Sequence, residues 1–175
     1  MIKIFRNTSH LISLTSHLKI ILSLLFIALC GTSVAQEKKY YNEEIDAMAQ
    51  IEAATQLARQ SDRYVLCQVG GNWCPWCIRF AQFATTDSVV APLLEKNFVY
   101  VHINYSKANK NRAAMKYLGN PTRFGFPVFV ILNQDGTPIH IQESASLEEG
   151  KSYNRKKVEN FLRLWTKEAV NKELD

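Results

Sequence analysis

A short β-prone run at residues 64–69, YVLCQV, ends in Gly70-Gly71. Three residues later it meets Cys74-Pro75-Trp76-Cys77. Few patterns constrain a fold as tightly. The run reads as a buried strand, because it is apolar and bounded by breakers. Proline directly after Cys74 suits the first turn of a helix, where no amide donor is needed. Ile78, Phe80, Ala81, Phe83 and Ala84 continue without a breaker, so a helix is predicted over 74–85. The cysteine pair therefore sits where a buried strand hands over to a helix.

The rest of the chain alternates in the same way. Asn42 followed by Glu43 and Glu44 reads as a helix start, with Ile45, Met48, Ile51 and Ala54 or Ala58 as an apolar stripe, so a helix is predicted over 42–60. A second helical piece comes after the cysteines over 88–96. FVYVHIN at 98–104 is another strand, and 109–118 forms a helix that Gly119-Asn120-Pro121 stops. Two short runs, 128–132 and 138–142, flank Asn133-Gln134-Asp135-Gly136 and predict a hairpin. Val158, Phe161, Leu162, Trp165 and Ala169 recur at helical spacing and predict one amphipathic closing helix. Crossovers make parallel neighbours and the hairpin adds an antiparallel edge, which gives an α/β fold with a central mixed sheet flanked by helices.

The first 35 residues differ in kind. Lys3, Arg6 and Lys19 precede an apolar run of about ten residues from Ile20 to Leu29, and small residues end at Ala35. This reads as a secretory signal peptide over 1–35, cleaved after Ala35. A bilayer-spanning helix needs roughly 20 apolar residues. Cys30, directly after the run, offers a second reading as a lipid anchor; such sites resemble Leu-x-small-Cys, and Leu29 in the small position disfavours it. The remaining segment, 36–175, has the length of a single domain. Three of the 21 Lys and Arg lie in the leader, so this segment has a net charge of about +2 against the whole chain's +5. A nucleic-acid footprint needs a concentrated basic patch. The one basic cluster, Arg155-Lys156-Lys157, reads as a solvated helix face.

Three chemistries suit a C-x-x-C pair: metal binding, a structural disulfide and thiol-disulfide exchange. Structural zinc takes four ligands, and the chain has no second C-x-x-C or H-x-x-x-H. Copper held by the two thiolates is disfavoured likewise. Cys67, in an apolar strand, reads as a core thiol. His102 reads as packed against the sheet, His140 as exposed, Trp165 as core and Trp76 as exposed. A cysteine at a helix N-terminus faces unpaired amides and the positive end of the dipole, which favour the thiolate. At pH 7 a thiol of pKa about 8.5 is only about 3% ionised, whereas one of about 7 is half ionised. Cys74 is the candidate for that shift. Cys77, nearly one turn further in, is the more shielded and can resolve a mixed disulfide.

Trp73-Cys74-Pro75-Trp76-Cys77, together with Gly125-Phe126-Pro127 before the apolar strand Val128-Phe129-Val130, resembles the two markers of the thioredoxin-like superfamily. The resemblance covers roughly residues 42–170 and points to secreted bacterial members with a CPWC centre. It implies a thioredoxin-like fold with Cys74 as nucleophile and Cys77 as resolving cysteine. Pro127 would be cis, and Phe126, Trp73, Pro75 and Trp76 would border a substrate groove. It further implies a periplasmic or secreted oxidoreductase without a cofactor or metal; reductase, isomerase and oxidant all fit the motif, which is most similar to that of reducing members. Its partners would be disulfide- or thiol-bearing proteins and a redox partner protein, not nucleic acid. One position departs from the family. Gln68 stands where thioredoxins bury an aspartate six residues before the first cysteine, and an amide cannot titrate. That departure favours the alternative of a thioredoxin-fold binding module, for partner capture or metal delivery, with little turnover.

Overall fold

A computed structural model describes residues 38–172. The leader, its cleavage point and Cys30 lie outside the described residues. Strands β1 (Tyr64–Gly70), β2 (Phe98–Asn104), β3 (Val128–Leu132) and β4 (Pro138–Glu143) form one mixed sheet in the order β2-β1-β3-β4. Strands β1 and β2 run parallel, in register from Tyr64 opposite Phe98 to Gly70 opposite Asn104. Strand β3 is antiparallel to both β1 and β4. All seven residues of β1 are buried. A central strand covered on both faces has no use for alternating polarity, which explains its nearly continuous apolar run.

The two faces take alternate side chains. Val65, Cys67 and Val69 join Val128, Val130 and Leu132 beneath helix α1 (Ala47–Gln60) and helix α4 (Arg112–Tyr117). Leu66, Phe98, Phe129 and Ile131 form the opposite face. They are covered by α2 (Pro75–Thr86), α3 (Val90–Asn97) and α5 (Arg155–Leu164), through Phe80, Ala84, Leu94, Val158, Phe161 and Leu162. A last short helix, α6 (Lys167–Asn171), comes after α5. Among the described residues no helix is long and apolar enough to cross a membrane.

Strands β2 and β3 have the bounds read from the sequence, β1, β4 and α2 match theirs to within one residue, and the other helices differ more. Helix α1 begins at Ala47 rather than 42: Asp46 caps it by accepting from Met48 N at 2.8 Å, while Asn42 closes a local turn by accepting from Glu44 N at 3.0 Å. Its buried stripe is Ala47, Ile51, Ala54, Thr55 and Ala58, of which the three alanines let the helix approach the sheet; Ile45 is exposed. Helix α3 starts at Val90, not Ser88, because the Asp87 carboxylate accepts from both Val89 N and Val90 N. Helix α4 is shorter than predicted because Asn111 is left-handed, with φ 45°, and its side chain donates to Asn104 O. The closing helix is two: α5 ends at Leu164, and Thr166 caps α6 by accepting from Ala169 N. Ala169 is exposed. Trp165 is half-buried, stacked on the His140 ring with centroids 4.0 Å apart, so His140 is covered rather than exposed. A small hairpin, β5 (Glu148–Glu149) with β6 (Ser152–Tyr153), brings Tyr153 under Trp76.

Candidate active site

Strand β1 delivers the chain to the end of the sheet, and the turn into α2 places the cysteines there. Gly70 is required by close approach: a Cβ at that position would fall 2.4 Å from Cys77 Sγ. Asn72 then pins the turn. Its Oδ1 accepts from Tyr40 N and Tyr41 N, and its Nδ2 donates to Tyr41 O, at 2.8–3.1 Å. Cys74 is the N-cap of α2, its Sγ accepting from Cys77 N at 3.2 Å, and Pro75 opens the first turn. Cys74 and Cys77 are joined by a disulfide with Cα atoms 5.2 Å apart. Cys74 is 4% exposed and Cys77 fully buried. Cys74 is thus the cysteine nearer solvent, at the positive end of the helix.

Of the other residues singled out by sequence, Pro75 and Trp73 are exposed, and the Trp73 indole donates to Tyr105 O at 2.7 Å. The Phe126–Pro127 bond is cis. Pro127 is buried, and half-buried Phe126 packs on the cysteine cluster, edge-on to Trp73 and stacked on Tyr105. Trp76 is half-buried rather than exposed, because its ring packs edge-on against Tyr153 while the Arg79 guanidinium covers it at 4.6 Å. An open groove of about 670 Å³ lies beside Trp73 and Tyr105, flanked by Lys107, Lys110 and Glu43. Cys67 faces the α1 side of the sheet, where burial pushes its thiol far up.

Beneath Cys77 lies a polar network that sequence reasoning did not find. Gln68 is fully buried; its Nε2 donates to Cys77 O at 2.9 Å and to the Tyr41 hydroxyl, while its Oε1 accepts from the Tyr100 hydroxyl. Burial pushes both phenols far above their usual range, so they stay protonated. The His102 ring packs among Tyr40, Tyr41 and Tyr100. The adjacent pair Tyr40-Tyr41 was the available signal, but it precedes the first predicted helix and belongs to neither marker.

Fold and site together define a thioredoxin-fold protein with a disulfide-forming C-x-x-C pair at a strand-to-helix junction. The chain belongs to the thioredoxin-like family, whose model matches residues 46–134. A disulphide isomerase from Xylella fastidiosa Temecula1 has a similar structure, with a TM-score of 0.64 and 22% identity over 73% of this chain and 97% of that one. A thioredoxin from Thermus thermophilus gives a TM-score of 0.48 and 21% identity over 67% of this chain and 85% of that one. The C-terminal domain of Neisseria meningitidis DsbD in its oxidised form gives 0.42 and 18% over 66% and 94%. No curated protein matches the chain.

Proposed function

We propose that the protein is an extracytoplasmic thiol-disulfide oxidoreductase that reduces disulfides in protein substrates. The observation that carries this reading is the Cys74–Cys77 disulfide at the N-terminus of α2, with Phe126 of the cis-Pro127 loop packed on it. In the reduced protein the Cys74 thiolate attacks one sulfur of a partner's disulfide. A mixed disulfide forms and the partner's other sulfur leaves as a thiolate. Cys77 gives up its proton and attacks Cys74 Sγ, which closes the Cys74–Cys77 disulfide and releases the partner's second thiol. Two electrons pass to the partner, and a redox partner protein must return them. The partner chain would enter beside Trp73, which lines the open groove, and Phe126, which packs edge-on against it; Pro75, Trp76 and Pro127 do not line that groove. The leader read from the sequence, followed by a compact unit that begins at Lys39, supports export of a single domain.

A Cys77→Ala variant tests the roles, since it should accumulate mixed disulfides through Cys74. Adducts forming on Cys77 in a Cys74→Ala variant instead would reverse them. Gln68, whose buried amide cannot titrate, favours one second reading, a binding module with little turnover. A Cys74→Ala protein that keeps its partners would support that module; loss of both exchange and partner capture supports the enzyme.

A further inference from the structure

Cys77 is fully buried, yet in either direction of exchange its sulfur must carry an electron pair as a thiolate. Burial disfavours the thiolate, so the groups facing this sulfur decide how readily it forms. Tyr41, itself 3% exposed, packs in one cluster with Cys74 and Cys77. A Cβ at Gly70 would lie 2.4 Å from Cys77 Sγ and 3.0 Å from the Tyr41 hydroxyl oxygen. Sulfur and hydroxyl oxygen both crowd the point where a Gly70 side chain would begin, which puts them within about 5.4 Å (2.4 plus 3.0 Å) of each other.

Gln68 sets the direction of that hydroxyl. The Cys77 carbonyl needs a donor, which fixes Nε2 on its side of the amide. The same Nε2 donates to the Tyr41 oxygen, and Oε1 is engaged by Tyr100. Tyr41 thus accepts from Gln68 and does not spend its own proton there. The backbone of Tyr41 is held by Asn72, just beyond Gly70 in the turn that leads to the cysteines.

We propose that Tyr41 is the thiolate-stabilising residue of this site, its O–H turning to donate a hydrogen bond to Cys77 Sγ once that sulfur is released from the disulfide; the inference rests on Cys74 and Cys77 as the exchanging pair. When an incoming thiolate attacks Cys74 Sγ, a bond forms between those two sulfurs and the Cys74–Cys77 bond breaks. The electron pair stays on Cys77. Tyr41 keeps its proton and bonds the anion through it. In the opposite direction the same bond favours loss of the Cys77 proton before that sulfur attacks.

The test uses a Cys74→Ala protein, in which ultraviolet absorbance follows ionisation of Cys77 as pH is raised; Cys67, its thiol pushed up by burial, stays silent. Adding Tyr41→Phe should raise the Cys77 pKa by about one to two units, the size of one charge-assisted hydrogen bond. Asn72→Ala, which frees the Tyr41 backbone, should move it in the same direction and serves if Tyr41→Phe does not fold. The other titratable groups facing this region are Tyr40, Tyr100, His102 and Tyr153, and a His102→Gln control separates imidazole protonation from the thiol's. With both cysteines present, Tyr41→Phe should slow resolution of a mixed disulfide about 3- to 10-fold at pH 7, since lost thiolate is about half offset by higher nucleophilicity. The difference should close at alkaline pH. An unchanged Cys77 pKa in a folded Tyr41→Phe protein overturns the proposal. A shifted pKa in a chain that exchanges with no disulfide would uphold the hydrogen bond and sink the oxidoreductase reading instead.

Discussion

Gly70→Ala is the most informative single change to the scaffold of the site. The added methyl would fall 2.4 Å from Cys77 Sγ, 3.0 Å from the Tyr41 hydroxyl and 3.3 Å from Cys77 Cβ. None of these neighbours can retreat cheaply. Cys77 lies in the first turn of α2 and is tied to Cys74, and Tyr41 is held by Asn72 and Gln68. The strand cannot step back either, because Gly70 pairs with Asn104 and its carbonyl accepts from Tyr105 N at 2.6 Å. Overpacking of this kind costs about 1–3 kcal/mol. In the oxidised protein the sulfur is tethered in the path of the methyl; once reduced, it can rotate away. The oxidised form should therefore bear more of the penalty. If the whole difference falls on it, the reduction potential rises by about 20–65 mV, at 30 mV per about 1.4 kcal/mol. Urea unfolding of both redox forms, with glutathione equilibration, reads both effects. Wild-type unfolding midpoints in both forms, or a potential that falls, would refute the steric argument.

Asp87 links the start of α3 to α5: its carboxylate accepts from Val89 N and Val90 N, and Arg155 Nε bonds it at 2.8 Å. Burial alone would raise this carboxyl, but those bonds outweigh it and hold the group below the usual carboxylate range. The stability it contributes is then complete above about pH 4 and lost as pH falls through the lowered folded value. Asp87→Ala should cost about 1–2 kcal/mol at pH 7 and flatten the acid limb of a pH-stability profile; an unaltered limb would contradict this. Cys67 should resist thiol reagents until the chain unfolds, and Cys67→Ser should cost about 1–3 kcal/mol by burying an unpartnered hydroxyl, as measured by denaturant titration. Tyr153→Phe removes the hydroxyl that donates to Trp76 O at 3.2 Å and should cost about 0.5–1.5 kcal/mol in the same titration.

The sheet was legible because its strands are short, apolar and punctuated. YVLCQV and FVYVHIN pair in register along their whole length, and the Asp-Gly turn joins β3 to β4. Helix ends were less so, since they depend on which of several capping side chains wins. Asp46 rather than Asn42 starts α1, and Thr166 divides the closing amphipathic pattern without any Gly or Pro to announce it. The C-x-x-C motif and the proline at 127 stand out in the chain as motifs. The network beneath Cys77 does not, because Tyr41, Gln68 and Tyr100 come from three separate segments that only the fold brings together. The same holds for the covered faces of Trp76 and His140. Their partners, Tyr153 and Trp165, lie 77 and 25 residues further on and make no local pattern.

Cys74 and Cys77 are proposed to form a reversible redox pair that reduces other proteins' disulfides. The most direct measurement is their equilibrium reduction potential, with protein beginning at Gln36 held in graded glutathione buffers and read by tryptophan fluorescence and thiol labelling. A single two-electron transition near thioredoxin's, about −270 mV, is the predicted result. A potential near −120 mV would make the protein an oxidant rather than a reductase, and the absence of any reversible transition would mean that the pair does not exchange electrons at all.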